Sequence, residues 1–116
     1  MNIIRCNQPT FFDVDDTIIK WGYANVPGPN TVEITCSGIT QHLVPHKKHI
    51  EQIKAHKARG HTVFVWSKGG DLWAEAVVEA LGLRPFVDYV LEKPEWYYDD
   101  KEAQEFMGKA LYLKDE

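Results

Sequence analysis

The run His61-Thr62-Val63-Phe64-Val65-Trp66 constrains the fold more than any other stretch of the chain. It is almost wholly apolar, β-branched or aromatic, the composition of a strand buried on both faces in a parallel sheet. Ser67-Lys68-Gly69-Gly70 then makes a tight turn, and Asp71 is placed to cap a helix. Leu72, Trp73, Ala76, Val77, Ala80 and Leu81 repeat at helical spacing through that helix. Leu81-Gly82-Leu83 ends it, because glycine enters the left-handed conformation freely. Phe86-Val87-Asp88-Tyr89-Val90-Leu91 reads as the next core strand. A strand, a helix and a strand in that order call for a parallel pair joined by a crossover.

The flanking chain extends the pattern. Residues 10–14 read as the first core strand, residues 18–23 as a single helical turn, and Asn25-Val26-Pro27-Gly28-Pro29-Asn30 as a breaker cluster. Val32, Ile34 and Cys36 alternate with Glu33 and Thr35, and Ser37-Gly38 separates them from residues 39–44. This predicts a β-hairpin with a two-residue turn, projecting from the body. A helix over 46–59 follows Pro45, with a thin apolar stripe at Ile50 and Ile53, and stops at Gly60. Trp96-Tyr97-Tyr98 reads as a fourth strand leading into Asp99-Asp100, and residues 101–109 as a short last helix. Residues 1–8 read as an edge strand or arm. The whole predicts one α/β domain, 1–116, with a parallel sheet flanked by helices.

Charge and composition narrow the function classes. The net charge of −4 argues against nucleic-acid binding by the whole surface. Lys47, Lys48, Lys54, Lys57 and Arg59 crowd one segment, read either as a solvated helix face or as a landing strip for a polyanion. No apolar run approaches the roughly 18 residues of a membrane span, and Met1-Asn2-Ile3-Ile4-Arg5 lacks the signal-peptide pattern. Cys6 and Cys36 match neither a disulfide framework nor a metal spacing, so both read as small hydrophobes suited to a reducing cytoplasm. His46, His49 and His56 share a helical face, as structural histidines or as a metal site.

The chemistry gathers at predicted strand ends. Phe11-Phe12 leads into Asp13-Val14-Asp15-Asp16-Thr17. Alternate strand residues share a face, so Asp13 and Asp15 start on one side. Two like charges that close at the end of a core strand either form a solvated acidic turn or call for a cation, and Mg²⁺ takes one or two carboxylates with phosphate oxygens and water. Ser67 ends the second core strand, where its hydroxyl and the Gly69-Gly70 amides at a helix start suit a phosphate. Lys93 lies in the link after the third strand, and Asp99 and Asp100 end the fourth. All these groups fall at the carboxyl edge of one sheet, where open α/β sheets bind ligands.

Asp13-Val14-Asp15-Asp16-Thr17 resembles the first motif, D-x-D-x-T, of the haloacid dehalogenase-like hydrolase superfamily. The resemblance implies a three-layer Rossmann-like fold, with the hairpin region of about residues 21–44 as a flap in place of a cap domain. It implies Asp13 as nucleophile and Asp15 as general acid/base, with Thr17 fixing their loop. Residues 63–67, ending in Ser67, resemble the second motif, and Lys68 and Gly69 beside it would also meet phosphate. Lys93 resembles the third motif, with Lys68 or Arg84 as other sources of positive charge. Asp99-Asp100 resembles the fourth, which supplies metal ligands. Asp99 would bind Mg²⁺ directly with Asp13 and the Asp15 backbone carbonyl, and Asp100 would support it; either acid also suits a helix N-cap.

The implied reaction is hydrolysis of a phosphate monoester through an aspartyl-phosphate. Asp at position 15 favours phosphoryl transfer over dehalogenation, because a displaced alkoxide needs a proton and a halide does not. An uncapped site suits a nucleotide, a nucleic-acid end or another bulky substrate, unless a second copy covers it. Trp21, Tyr23 and the basic helix could stack and steer a nucleic-acid substrate. A phosphotransferase or phosphomutase, and a metal- or phosphate-binding module without turnover, are the alternatives.

Overall fold

The strand–helix–strand pattern of residues 61–91 is the frame on which the molecule is built. The computed structural model describes residues 8–115; the expected arm at 1–8 and Cys6 lie almost wholly or wholly outside them. The chain runs β1 (Pro9–Asp13), β2 (Ile19–Lys20), β3 (Val32–Cys36), β4 (Ile39–Pro45), α1 (Lys47–Ala58), β5 (Thr62–Ser67), α2 (Asp71–Ala80), a 3₁₀ turn (Arg84–Phe86), β6 (Tyr89–Glu92) and α3 (Ala103–Phe106). The strands β1, β5 and β6 form a parallel sheet in that order, with Asp13 beside Trp66 and Ser67 beside Glu92. β2, β4 and β3 form an antiparallel sheet.

Both crossovers of the parallel sheet step the same way. Right-handed connections then put α1 and α2 on one face. Burial along β5 agrees: Val63, Val65 and Ser67 are buried, whereas Phe64 and Trp66 are only partly so. Ile53 of α1 and Ala74, Val77 and Val78 of α2 complete that core with no exposed surface. Each of the Ile and Val side chains contributes roughly 1.5–3 kcal/mol by leaving water. The opposite face carries Phe11 stacked on Phe64 at 4.2 Å, with Tyr89 stacked on Phe64 at 5.0 Å. Phe11, Tyr89 and Leu91 there are at least 40% exposed.

Several expectations are corrected. β5 is covered on one face, not both, because a second helical layer needs the chain to reverse its strand order, and it does not. No strand forms at Trp96-Tyr97-Tyr98: all three are exposed, Tyr98 completely, since β-forming residues with no neighbour to pair leave the ladder unmade. The last helix covers only Ala103–Phe106. Residues 18–23 are not a helical turn; Ile19–Lys20 pair with Val44 and Pro45. The third core strand begins at Tyr89, after the 3₁₀ turn. Gly70, at φ 105°, caps α2 in place of Asp71, and Leu72 faces solvent because the inward stripe is Ala74, Val77 and Val78.

The hairpin forms as expected. Ser37 and Gly38 have φ of 53° and 79°, the double left-handed geometry of a tight two-residue turn. It does not project, however: Ile34 and Leu43 are buried and β3 packs on α2.

Candidate active site

The loop after β1 is wound tightly around one carbonyl. Val14 is fully buried, and its oxygen accepts N–H groups from Thr17 (3.2 Å), Ile18 (3.0 Å) and Ile19 (3.3 Å). Asp16 takes a left-handed φ of 59°, which a short Asp side chain tolerates, and its Oδ1 accepts the Trp21 N–H at 2.9 Å. This winding returns the Thr17 hydroxyl to Asp13, where it donates to Oδ2 at 3.0 Å.

The ends of β5 and β6 close on the same loop. Ser67 is fully buried; its Oγ donates to Asp15 Oδ2 at 3.3 Å and accepts the Gly69 N–H at 2.9 Å. Its carbonyl accepts the Lys93 N–H at 3.0 Å. That bond holds the chain after β6 so that Lys93 Nζ lies 3.0 Å from Asp13 Oδ1. Asp13, Asp15, Thr17, Ser67, Gly69 and Lys93, expected from their strand-end placement and from the motifs, are thus brought together.

Two indoles join them. Trp21 Nε1 and Trp73 Nε1 both donate to Asp15 Oδ1, at 2.9 and 3.0 Å. Trp73 reads in the sequence as one member of an apolar helical stripe, and nothing in its spacing distinguishes an indole that reaches back from the first turn of α2. A hint lies in Gly69, where a Cβ would sit 3.2 Å from both Ser67 Oγ and Trp73 Cδ1. With Oδ1 and Oδ2 both engaged, the Asp15 carboxylate is held in one orientation.

Other expected residues stand apart. Lys68 is exposed. Arg84 pairs with Glu75 and with Glu79 on α2, so the positive charge at Asp13 comes from Lys93. Asp99 and Asp100 lie in exposed coil, where Asp99 Oδ1 accepts the Lys101 N–H at 3.0 Å. Among the described residues no three His, Cys, Asp or Glu side chains converge to hold a metal ion, so neither of these acids joins Asp13 and Asp15. The donor chemistry at Asp13 still fits Mg²⁺, which uses hard oxygens and few carboxylates. The basic segment forms a largely solvated face of α1, with Lys57 paired to Asp88 at 2.6 Å and Lys54 over the Phe86 ring.

His46, the cap of α1, and His49 in its first turn buttress the site. The imidazoles of His46 and His49 stack at 3.7 Å. His46 caps α1 by accepting the His49 N–H on Nδ1 at 3.1 Å, so its Nε2–H donates to the Leu113 carbonyl at 2.8 Å. His49 Nε2 accepts the Leu113 N–H at 2.9 Å, which leaves Nδ1–H to donate to the Thr17 carbonyl at 2.6 Å. The loop after β1, the start of α1 and the C-terminal segment are therefore tied through two rings of fixed tautomer. Burial holds the His49 pKa below the ordinary value of 6.5, aided by His46 and opposed by the Thr17 carbonyl and Asp115.

Comparisons with protein-family models, with curated proteins and with solved structures gave no match.

Proposed function

We propose that the protein is a Mg²⁺-dependent phosphatase of the haloacid dehalogenase type, hydrolysing a phosphate monoester in a reducing cytoplasm. One observation carries the reading. A carboxylate, Asp13, is flanked by a cation and a hydroxyl at 3.0 Å each, while a second carboxylate stands two residues on, fixed by Ser67 and two indoles. These groups come from the ends of three strands, and random acidic turns do not gather a partner set of that kind. The three-layer architecture of that superfamily is part of the proposal; its second layer would need residues 94–111 to fold back over the open sheet face.

Asp13 attacks phosphorus, its Oδ forming the new bond as the ester oxygen leaves. Asp15 gives that oxygen a proton, then takes one from the water that cleaves the aspartyl-phosphate. Lys93 meets the equatorial oxygens, over which negative charge is spread, while Ser67, which donates to Asp15 and accepts the Gly69 N–H, holds the turn and the proton carrier in register. Mg²⁺, when bound at Asp13 and the Asp15 carbonyl, supplies further neutralisation of that charge. Thr17 keeps Asp13 in its attacking orientation.

A non-catalytic phosphate-binding module is the second reading, and the isolation of Asp99 and Asp100 in exposed coil favours it. Hydrolysis of p-nitrophenyl phosphate with Mg²⁺, and its loss in Asp13→Asn, decides between them. Phosphate binding without turnover by the unmodified protein selects the module.

A further inference from the structure

We infer that the cleft beside Asp15 is a subsite for the base of a nucleoside 5′-monophosphate, an inference that rests on the phosphatase reading of the same carboxylates. The cleft, of about 260 Å³, is lined by Trp21, Trp73, Cys36, Ile39 and Gln41. The two indoles lie 6.1 Å apart at 37° to each other, and both spend their N–H groups on Asp15 Oδ1. What they offer a ligand is therefore their ring faces. Cys36 and Ile39 are cross-strand partners flanking the hairpin turn, and Ile39 is 63% exposed on that wall.

The placement follows from the proton transfer. A leaving oxygen must come within hydrogen-bond reach of the Asp15 carboxyl. That carboxyl is pinned against the two indoles, so the group carried by the leaving oxygen enters the cleft they line. Flat apolar faces suit a planar ring, and the Gln41 Nε2 can donate to an acceptor on the ring edge, its Oε1 being taken by Asn25. A polyol would set hydroxyls against indole and isoleucine carbon, leaving them without partners. The lining carries no charged side chain to receive a second phosphate, which favours a monophosphate.

The test compares adenosine 5′-monophosphate with ribose 5-phosphate. Both release a primary alkoxide, so their leaving groups differ only at C1, where one carries the base and the other a hydroxyl. Base–aromatic stacking corresponds to roughly five- to 150-fold in affinity, so kcat/KM should favour the nucleotide by about tenfold or more. Ile39→Asp and Trp21→Leu should each lower that ratio. Adenosine should also quench tryptophan fluorescence of the Asp13→Asn protein, a readout that needs no turnover. A ratio near one, with no quenching, overturns the subsite and leaves the phosphatase reading standing. Quenching without hydrolysis of either ester supports the subsite and overturns the phosphatase. Neither quenching nor hydrolysis overturns both.

Discussion

Acidification should loosen the tie between the C-terminal segment and the loop after β1, and His49 is where this can be measured. Its Nε2 accepts the Leu113 N–H and its Nδ1 donates to the Thr17 carbonyl. A proton added at Nε2 would set one N–H against another and charge a ring stacked 3.7 Å from His46. The groups facing His49 are His46 on its own helix, Tyr112 edge-on at 4.9 Å, the Thr17 carbonyl, and Asp115, which is paired with Lys20 at 3.0 Å. The folded pKa lies below the unfolded value of 6.5, so the unfolded chain takes the proton first. Stability is then full above about pH 6.5 and falls as pH drops through the interval between the two pKa values.

Replacing His49 with Phe keeps a flat ring but removes two hydrogen bonds. At about 1 kcal/mol each, the loss is roughly 2 kcal/mol. For a chain of this size that lowers Tm by about 8 °C at pH 7.5. The assay is thermal unfolding by circular dichroism at pH 7.5 and 5.5. The unmodified protein should melt lower at pH 5.5, and the drop should be smaller in His49→Phe. It should not vanish. His56, which is also held below the ordinary histidine value by burial and by Arg59 and His61, loses stability in the same direction. An unchanged pH dependence in His49→Phe would refute the reasoning.

Asp13→Asn should abolish phosphate-ester hydrolysis while the circular dichroism spectrum and Tm stay near those of the unmodified protein, because Asn retains an oxygen to accept from Thr17 and the lost ion pair with Lys93 is partly exposed. Excess chelator should remove activity and added Mg²⁺ restore it, checked by phosphate release. Gly69→Ala should lower kcat at least several-fold, read by steady-state kinetics, because the new methyl would press on Ser67 Oγ and Trp73 at 3.2 Å each. Ile53→Ala, at a position with no exposed surface, should cost about 2–5 kcal/mol in urea unfolding, with KM for any hydrolysed ester little changed.

Strand ends were the legible part of this site. Asp13, Ser67 and Lys93 each follow an apolar run that the βα pattern makes a parallel strand, so their meeting at one edge follows from topology alone. The roles of Trp21 and Trp73 were not legible, because an indole N–H aimed at a carboxylate leaves no periodic trace. Tautomer-locked histidines are equally silent: His46 and His49 look like any pair three apart on a helix. The open aromatic face was misread for a physical reason. Val-Phe-Val-Trp is apolar at every position, so composition cannot say which alternate residues lack a covering layer. Trp96-Tyr97-Tyr98 failed as a strand on the same principle, since β-propensity expresses packing against neighbours that residues 96–98 do not have.

The proposed chemistry turns on the difference between Asp13 and Asp15. Asp15 has both oxygens committed to neutral donors, Ser67 and two indoles, which fix its direction. Asp13 has one cation and one hydroxyl, and its side chain is 33% exposed where Lys93 also approaches solvent. A nucleophile must be reachable from outside and stay ionised, and a proton carrier must hold one aim through two transfers. The two carboxylates, two positions apart on one loop, are thus suited to different tasks by their partners alone. Removing one of the three donors with Trp73→Phe would loosen the aim of Asp15, which Trp21 and Ser67 still hold, while leaving the partners of Asp13 in place. Formation of the aspartyl-phosphate would then continue with an activated ester such as p-nitrophenyl phosphate, whose leaving group needs no proton. Turnover of an alkyl ester would fall. Equal losses in the rate of aspartyl-phosphate formation from both esters would show that Trp73 serves the fold and not the aim of Asp15.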